Sequence, residues 1–227
     1  MIIGVSEYQN LPKKSWLLSS HKDAQALADF LQSPRGGSLP QAHLKSLLNR
    51  DATTRNIRVA LDSVISKSQP GDVVYFFFAG HGKVRTLGGG DAAYLLPFDA
   101  EPEFLNATAL PMEELHRYVD LHLKRASQVI MITDACHSGA LLPTTSTSSW
   151  KQRSVSEYIQ GIGERTGVLN LTACRRDEVA FEDSRLGGHG VLTYNLLRAL
   201  NGAGRSTREG IVPVSYTHLT LPTTPYV

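Results

Sequence analysis

The stretch that most limits how this chain can fold is Tyr75-Phe-Phe-Phe-Ala-Gly-His-Gly82, an apolar, aromatic run that stops at a histidine between glycines. The continuous run Val73–Phe78 suits a strand buried on both faces, which belongs inside a parallel sheet covered by helices. A second run, Val129-Ile-Met-Ile-Thr133, leads in the same way into Asp134-Ala-Cys-His-Ser-Gly139. As neighbouring parallel strands, the two runs deliver His81 and Cys136 side by side, just past the carboxyl ends where such sheets gather reactive groups. A thiol is a weak nucleophile until it becomes a thiolate, and a nearby imidazole both favours that form and later protonates a leaving amine. Gly82 and Gly139 leave room for a substrate backbone. The backbone N–H of Cys136 and that of Gly82 are candidate donors to an oxyanion.

The rest of the chain reads as alternating strands and helices. Met1–Val5 is a β-branched first strand. Lys22–Leu31 has apolar residues at Ala24, Leu27, Ala28 and Leu31, a helical spacing that ends at Ser33-Pro34. Leu44–Leu48 reads as a second strand, and a helix runs from Asp51 through Ile65, capped by Thr53 or Thr54. After His81, Leu87–Gly90 reads as a mobile glycine-rich loop, followed by a short strand at Ala93–Pro97. Met112–Leu123 is a helix with Leu115, Val119 and Leu123 facing the core. Val168–Ala173 is a strand and Gly190–Leu200 a final helix. This alternation gives an α/β fold with a mostly parallel central sheet and helices on both faces.

Several classes are disfavoured. The 227 residues carry a net charge of +2 with the basic residues scattered, so nucleic acid is not an expected partner. No apolar run reaches the roughly 20 residues that span a bilayer, and no secretory leader is visible, so neither a membrane nor export is expected. Cys136 and Cys174, the two cysteines, form no disulfide framework or CxxC pair, which suits a reducing, cytoplasmic setting. Gly88, Gly89 and Gly90 lack a following Lys-Ser or Lys-Thr, so they form no phosphate loop. No metal-ligand spacing stands out. Cys174 with His189 is a conceivable but poorly framed second dyad.

Phe78-Ala-Gly-His-Gly82 and Asp134-Ala-Cys-His-Ser-Gly139 together resemble the caspase-like cysteine peptidases, closest to the metacaspases and bacterial caspase-like proteins. The resemblance extends to Gly4-Val-Ser-Glu-Tyr8, Lys22-Asp-Ala24, Tyr94-Leu-Leu-Pro97 and His189-Gly-Val-Leu-Thr-Tyr194. It implies a caspase-hemoglobinase sandwich and peptide-bond hydrolysis by a His81–Cys136 dyad, with protein or peptide substrates and no cofactor. It also implies that Asp134 lines the S1 pocket with Asp23, giving cleavage after Arg or Lys, since a buried acid wants a cationic partner. Ser20 and Ala79, close in sequence to Asp23 and His81, are further candidates for the pocket wall. Many metacaspases bind calcium through aspartates that Ala140–Pro143 and Leu110–Leu115 lack here, so calcium dependence is not expected.

The implied organisation is one peptidase domain over residues 1–213. A large-subunit-like region covers 1–143, a Ser/Thr-rich linker 144–165 and a truncated small-subunit-like region 166–213. Lys151, Arg153 and Arg165 in or beside the linker are candidate self-cleavage points. Residues 214–227 read as a non-native, adapter-derived tail, so a fused C-terminal domain is expected to be missing, and the start is expected to be clipped. The alternatives are a catalytically silent caspase-like interaction module and a hydrolase acting on another acyl group.

Overall fold

The computed structural model describes residues 1–87, 90–123, 128–137, 168–172 and 186–203. Its centre is a parallel sheet of β1 (Ile2–Gly4), β2 (Ser46–Leu48), β3 (Val73–Leu87), β6 (Gln128–His137) and β7 (Val168–Thr172), in the spatial order β2-β1-β3-β6-β7. Chain order reverses between β1 and β3, the kind of switch point at which open α/β sheets place their sites.

β3 does two jobs. Up to Gly82 it lies parallel to β6, with β1 on its other side; from Gly82 onward it turns antiparallel with β4 (Gly90–Leu95), which pairs in turn with β5 (Leu110–Pro111). The sequence expectation that His81 and Cys136 lie just past their strands is therefore corrected: both sit inside the ladder. Val84 is buried and Arg85 exposed, a strand alternation hidden by the glycines that follow. Leu87 and Gly90, the ends of the glycine-rich stretch, pair with each other in this hairpin, and residues 88–89 fall outside the described residues.

Helices cover both faces. α1 (Ser20–Gln32) and α5 (Val191–Arg198) pack on the face of Ile2, Phe77, Ala79 and Ile132. α2 (Thr54–Lys67) and α4 (Met112–Leu123) cover Ile3, Phe76, Phe78 and Met131 on the other. α3 (Leu105–Thr108) is a single turn before β5. This agrees with the expected α/β sandwich. α4 has the expected bounds, whereas α1 begins two residues earlier and α2 three residues later than the sequence suggested. Thr53 caps α2, its hydroxyl accepting from Asn56 N–H at 3.2 Å, while Thr54 N–H and hydroxyl both donate to Asp99. Arg58 on α2 makes a two-pronged ion pair with Glu114 on α4, both contacts 2.9 Å.

α1 approaches β1 closely because residue 4 is glycine. A Cβ there would lie 2.5 Å from both the Ala24 Cβ and the Ser20 carbonyl oxygen. The expected linker 144–165, with Lys151, Arg153 and Arg165, lies outside the described residues, as do Gly139, Cys174 and the tail 214–227.

Candidate active site

The sheet register organises the site. Gly4, Ala79 and Asp134 form one row across β1, β3 and β6. Two residues further on, His81 stands opposite Cys136. Adjacent strands lie about 4.8 Å apart, so the register alone makes the two backbones neighbours.

His81 is 7% exposed and tightly held. Its Nε2 lies 2.6 Å from the Ser15 carbonyl oxygen. A carbonyl only accepts, so Nε2 carries the hydrogen, and in the neutral ring Nδ1 is the nitrogen with the lone pair. The backbone N–H of His81 donates to the Tyr8 hydroxyl at 2.7 Å, and the two rings stack with centroids 4.9 Å apart. Phe77 N–H donates to Met1, Val5 N–H to Ala79, and Leu96 N–H to the His81 carbonyl, so odd-numbered residues of β3 face the β1 side. By alternation, the Gly82 N–H faces β6.

The acidic residues meet at the start of α5. A Cβ on Gly190 would lie 3.0 Å from Asp23 Oδ2 and 3.0 Å from Asp134 Oδ2. An oxygen of each carboxylate is thus no more than about 6 Å from one of the other. Asp23 is 1% and Asp134 8% exposed. Asp23 accepts from the Gly190 N–H at 3.0 Å, and His189 Nδ1 lies 2.7 Å from its other oxygen. Burial pushes the Asp23 carboxyl above its ordinary value, with His189 and the Gly190 N–H pulling the other way. Gly187 (φ 68°) and Gly188 (φ 80°) make the left-handed turn that brings His189 over α1.

The structure thus brings together Asp23 and Asp134, with Ala79 beside Asp134 in the register. Ser20 is buried at the start of α1, over Gly4. Sequence reasoning gave no site role to Tyr8, Ser15 or Gly190, although Tyr8 and Gly190 lie in stretches that carry the resemblance, and the one role it weighed for His189 was as a partner for Cys174. The Tyr8–His81 and His189–Asp23 contacts span 73 and 166 residues, and no local pattern signals them. Among the described residues, no group of three or more His, Cys, Asp or Glu could hold a metal ion, and no helix is long and apolar enough to cross a membrane.

A profile of the caspase domain matches residues 1–218, so the chain belongs to the caspase-domain family. Metacaspase-2 of Arabidopsis thaliana is 24% identical over 232 aligned positions, covering 88% of this chain and 51% of that protein. Metacaspase-1 of Plasmodium falciparum is 27% identical over 141 positions, covering 59% of this chain and 22% of that protein. The chain therefore spans about half, or less, of the curated relatives it matches. A crystal structure of a Geobacter sulfurreducens protein superimposes with a TM-score of 0.58 at 17% identity, covering 89% of this chain and 81% of that one, a likeness of fold.

Proposed function

We propose that this chain is a cysteine endopeptidase domain that cleaves peptide bonds after Arg or Lys. The observation that carries the reading is the register: His81 stands directly opposite Cys136, and the Ser15 carbonyl leaves His81 Nδ1 as the basic nitrogen. Nδ1 takes the thiol proton of Cys136, and the thiolate attacks the scissile carbonyl carbon. The imidazolium then protonates the departing amine, leaving an acyl-thioester that water hydrolyses with His81 again as base. The N–H groups of Gly82 and Cys136 are the proposed oxyanion donors. Both donors lie within the paired stretch of β3 and β6, which continues to Gly82 opposite His137.

The buried carboxylates of Asp23 and Asp134, with Ser20 and Ala79 as walls, form the proposed P1 pocket. Its acidity favours a cationic P1 side chain over aspartate. The reading also takes no metal into the reaction.

Fluorogenic peptides differing only at P1 test this, assayed beside Cys136→Ala, His81→Ala and Asp134→Asn. The expected result is turnover of Arg and Lys peptides that both dyad substitutions abolish. Asp134→Asn should raise KM for Arg-P1 by at least about tenfold, the loss of one charge-assisted contact. Better turnover of Asp-P1 peptides would overturn the specificity. Turnover that survives Cys136→Ala would overturn the dyad, and a folded chain inert toward every peptide would point to an interaction module.

A further inference from the structure

Resting on that dyad reading, we propose that Tyr8 is a positioning residue for His81, fixing its ring and its backbone for proton transfer with Cys136. Tyr8 comes from the loop after β1, across the switch point from His81, and is 1% exposed. Its ring stacks on the imidazole at an interplanar angle of 28°. Its hydroxyl accepts the His81 N–H at 2.7 Å and donates to the Val5 carbonyl at 3.1 Å. Both hydrogen-bonding roles of that oxygen are thereby assigned, so the hydroxyl is oriented as well as placed.

Tyr8 is itself anchored. Its carbonyl accepts the Trp16 indole N–H at 3.2 Å. Asn49 Oδ1 accepts the N–H groups of Ser6 and Glu7, immediately before Tyr8, at 2.9 and 3.2 Å. The turn Lys13–Ser15 also supplies the carbonyl that takes the His81 Nε2 hydrogen. One loop therefore grips His81 at three points: ring face, ring nitrogen and backbone N–H. Gly80 makes room for this, since a Cβ there would lie 3.0 Å from the Tyr8 hydroxyl.

The grip has a chemical consequence. The electron-rich face of an aromatic ring stabilises a cation placed over it, here the imidazolium that forms when His81 takes the thiol proton. Without the hydroxyl, the His81 N–H loses its acceptor in a buried strand, and the ring loses its fixed height relative to Cys136.

The test is Tyr8→Phe, which keeps the ring and removes only the hydroxyl. The readouts are the rate at which iodoacetamide alkylates Cys136, followed by peptide mass spectrometry, and kcat and KM on a cleaved peptide. His81→Ala sets the floor, and Tyr118→Phe is the control, since it deletes a tyrosine hydroxyl bonded to Asp62 far from the dyad. The expected result is alkylation and kcat about tenfold slower in Tyr8→Phe, KM unchanged, and no effect in Tyr118→Phe. Thermal melts report the folded fraction, and a loss that merely tracks it overturns the proposal. Wild-type alkylation in Tyr8→Phe, with His81→Ala slow, overturns the proposal and leaves the dyad standing. Unchanged alkylation in His81→Ala removes the dyad, and the role of Tyr8 falls with it.

Discussion

Replacing Gly4 by alanine should separate α1 from the sheet and damage the site from beneath. The new Cβ would sit 2.5 Å from the Ala24 Cβ, 2.5 Å from the Ser20 carbonyl oxygen and 2.9 Å from the His21 Cα. Carbon atoms in contact prefer about 3.5–4.0 Å. Two of the three obstacles are backbone atoms, which no rotamer change can move aside, so α1 must retreat by about 1 Å. Overpacking of this kind costs about 3 kcal/mol, the upper end of its usual range. In a chain of this size that lowers the melting temperature by about 6–12 °C. α1 also carries Asp23, and a misplacement of about 1 Å at a catalytic site can cost about 100-fold in rate. Thermal denaturation followed by circular dichroism, with peptide turnover on the folded protein, measures both effects. Adding Ala24→Gly removes one 2.5 Å contact and leaves the Ser20 carbonyl, so rescue should be partial. A Gly4→Ala protein melting within about 2 °C of wild type would refute the packing argument. Complete rescue by the double substitution would refute the part assigned to the backbone.

Two further outcomes concern the acidic cluster. Gly190→Ala is compatible with its backbone (φ −66°, ψ 150°), so its penalty is steric: a methyl group 3.0 Å from two carboxylate oxygens. It should cost about 1 kcal/mol of stability and raise KM for Arg-P1 peptides more than it lowers kcat; an unchanged KM would place the cluster outside the P1 pocket. Asp23 has a raised carboxyl pKa in the folded state, chiefly through burial, so between the ordinary value and the raised one the folded protein holds a proton that the unfolded chain has released. Its contribution favours folding at low pH and is lost as pH rises from the ordinary value of about 4 through the raised one. Urea unfolding of wild type and Asp23→Asn across that window should show wild type losing stability relative to the variant. A constant difference, or one of opposite slope, would contradict the assignment.

What could be read from the sequence was whatever burial writes locally. Val73–Phe78 and Val129–Thr133 are apolar because both faces of their strands are covered, and the sheet centre and the pairing of β3 with β6 follow from them. Leu115 and Val119 marked α4 by the same logic at helical period. The hairpin of β3 and β4 escaped because Lys83, Arg85 and the glycines after Leu87 look like loop, although Val84 is buried between them. Tyr8 lies beyond the first strand, Met1–Val5, in the polar stretch that closes it, and Gly190 read as the start of a helix. Each is placed by groups distant in the chain, Tyr8 by the His81 N–H that its hydroxyl accepts and Gly190 by the carboxylates of Asp23 and Asp134 that leave no room for a Cβ. Such demands are made by tertiary contacts and leave no periodicity behind.

The changeover within β3 bears on how a chain of this kind can diversify. At Gly82 the strand passes from a parallel partner to an antiparallel one without leaving the sheet, so His81 has paired backbone before and behind it. Sequence can therefore change outside these paired strands without altering the spacing of His81 from β6. The spacing of His81 from Cys136 is thus held by hydrogen bonds of the main chain on both sides of the changeover, independently of what the side chains around it become.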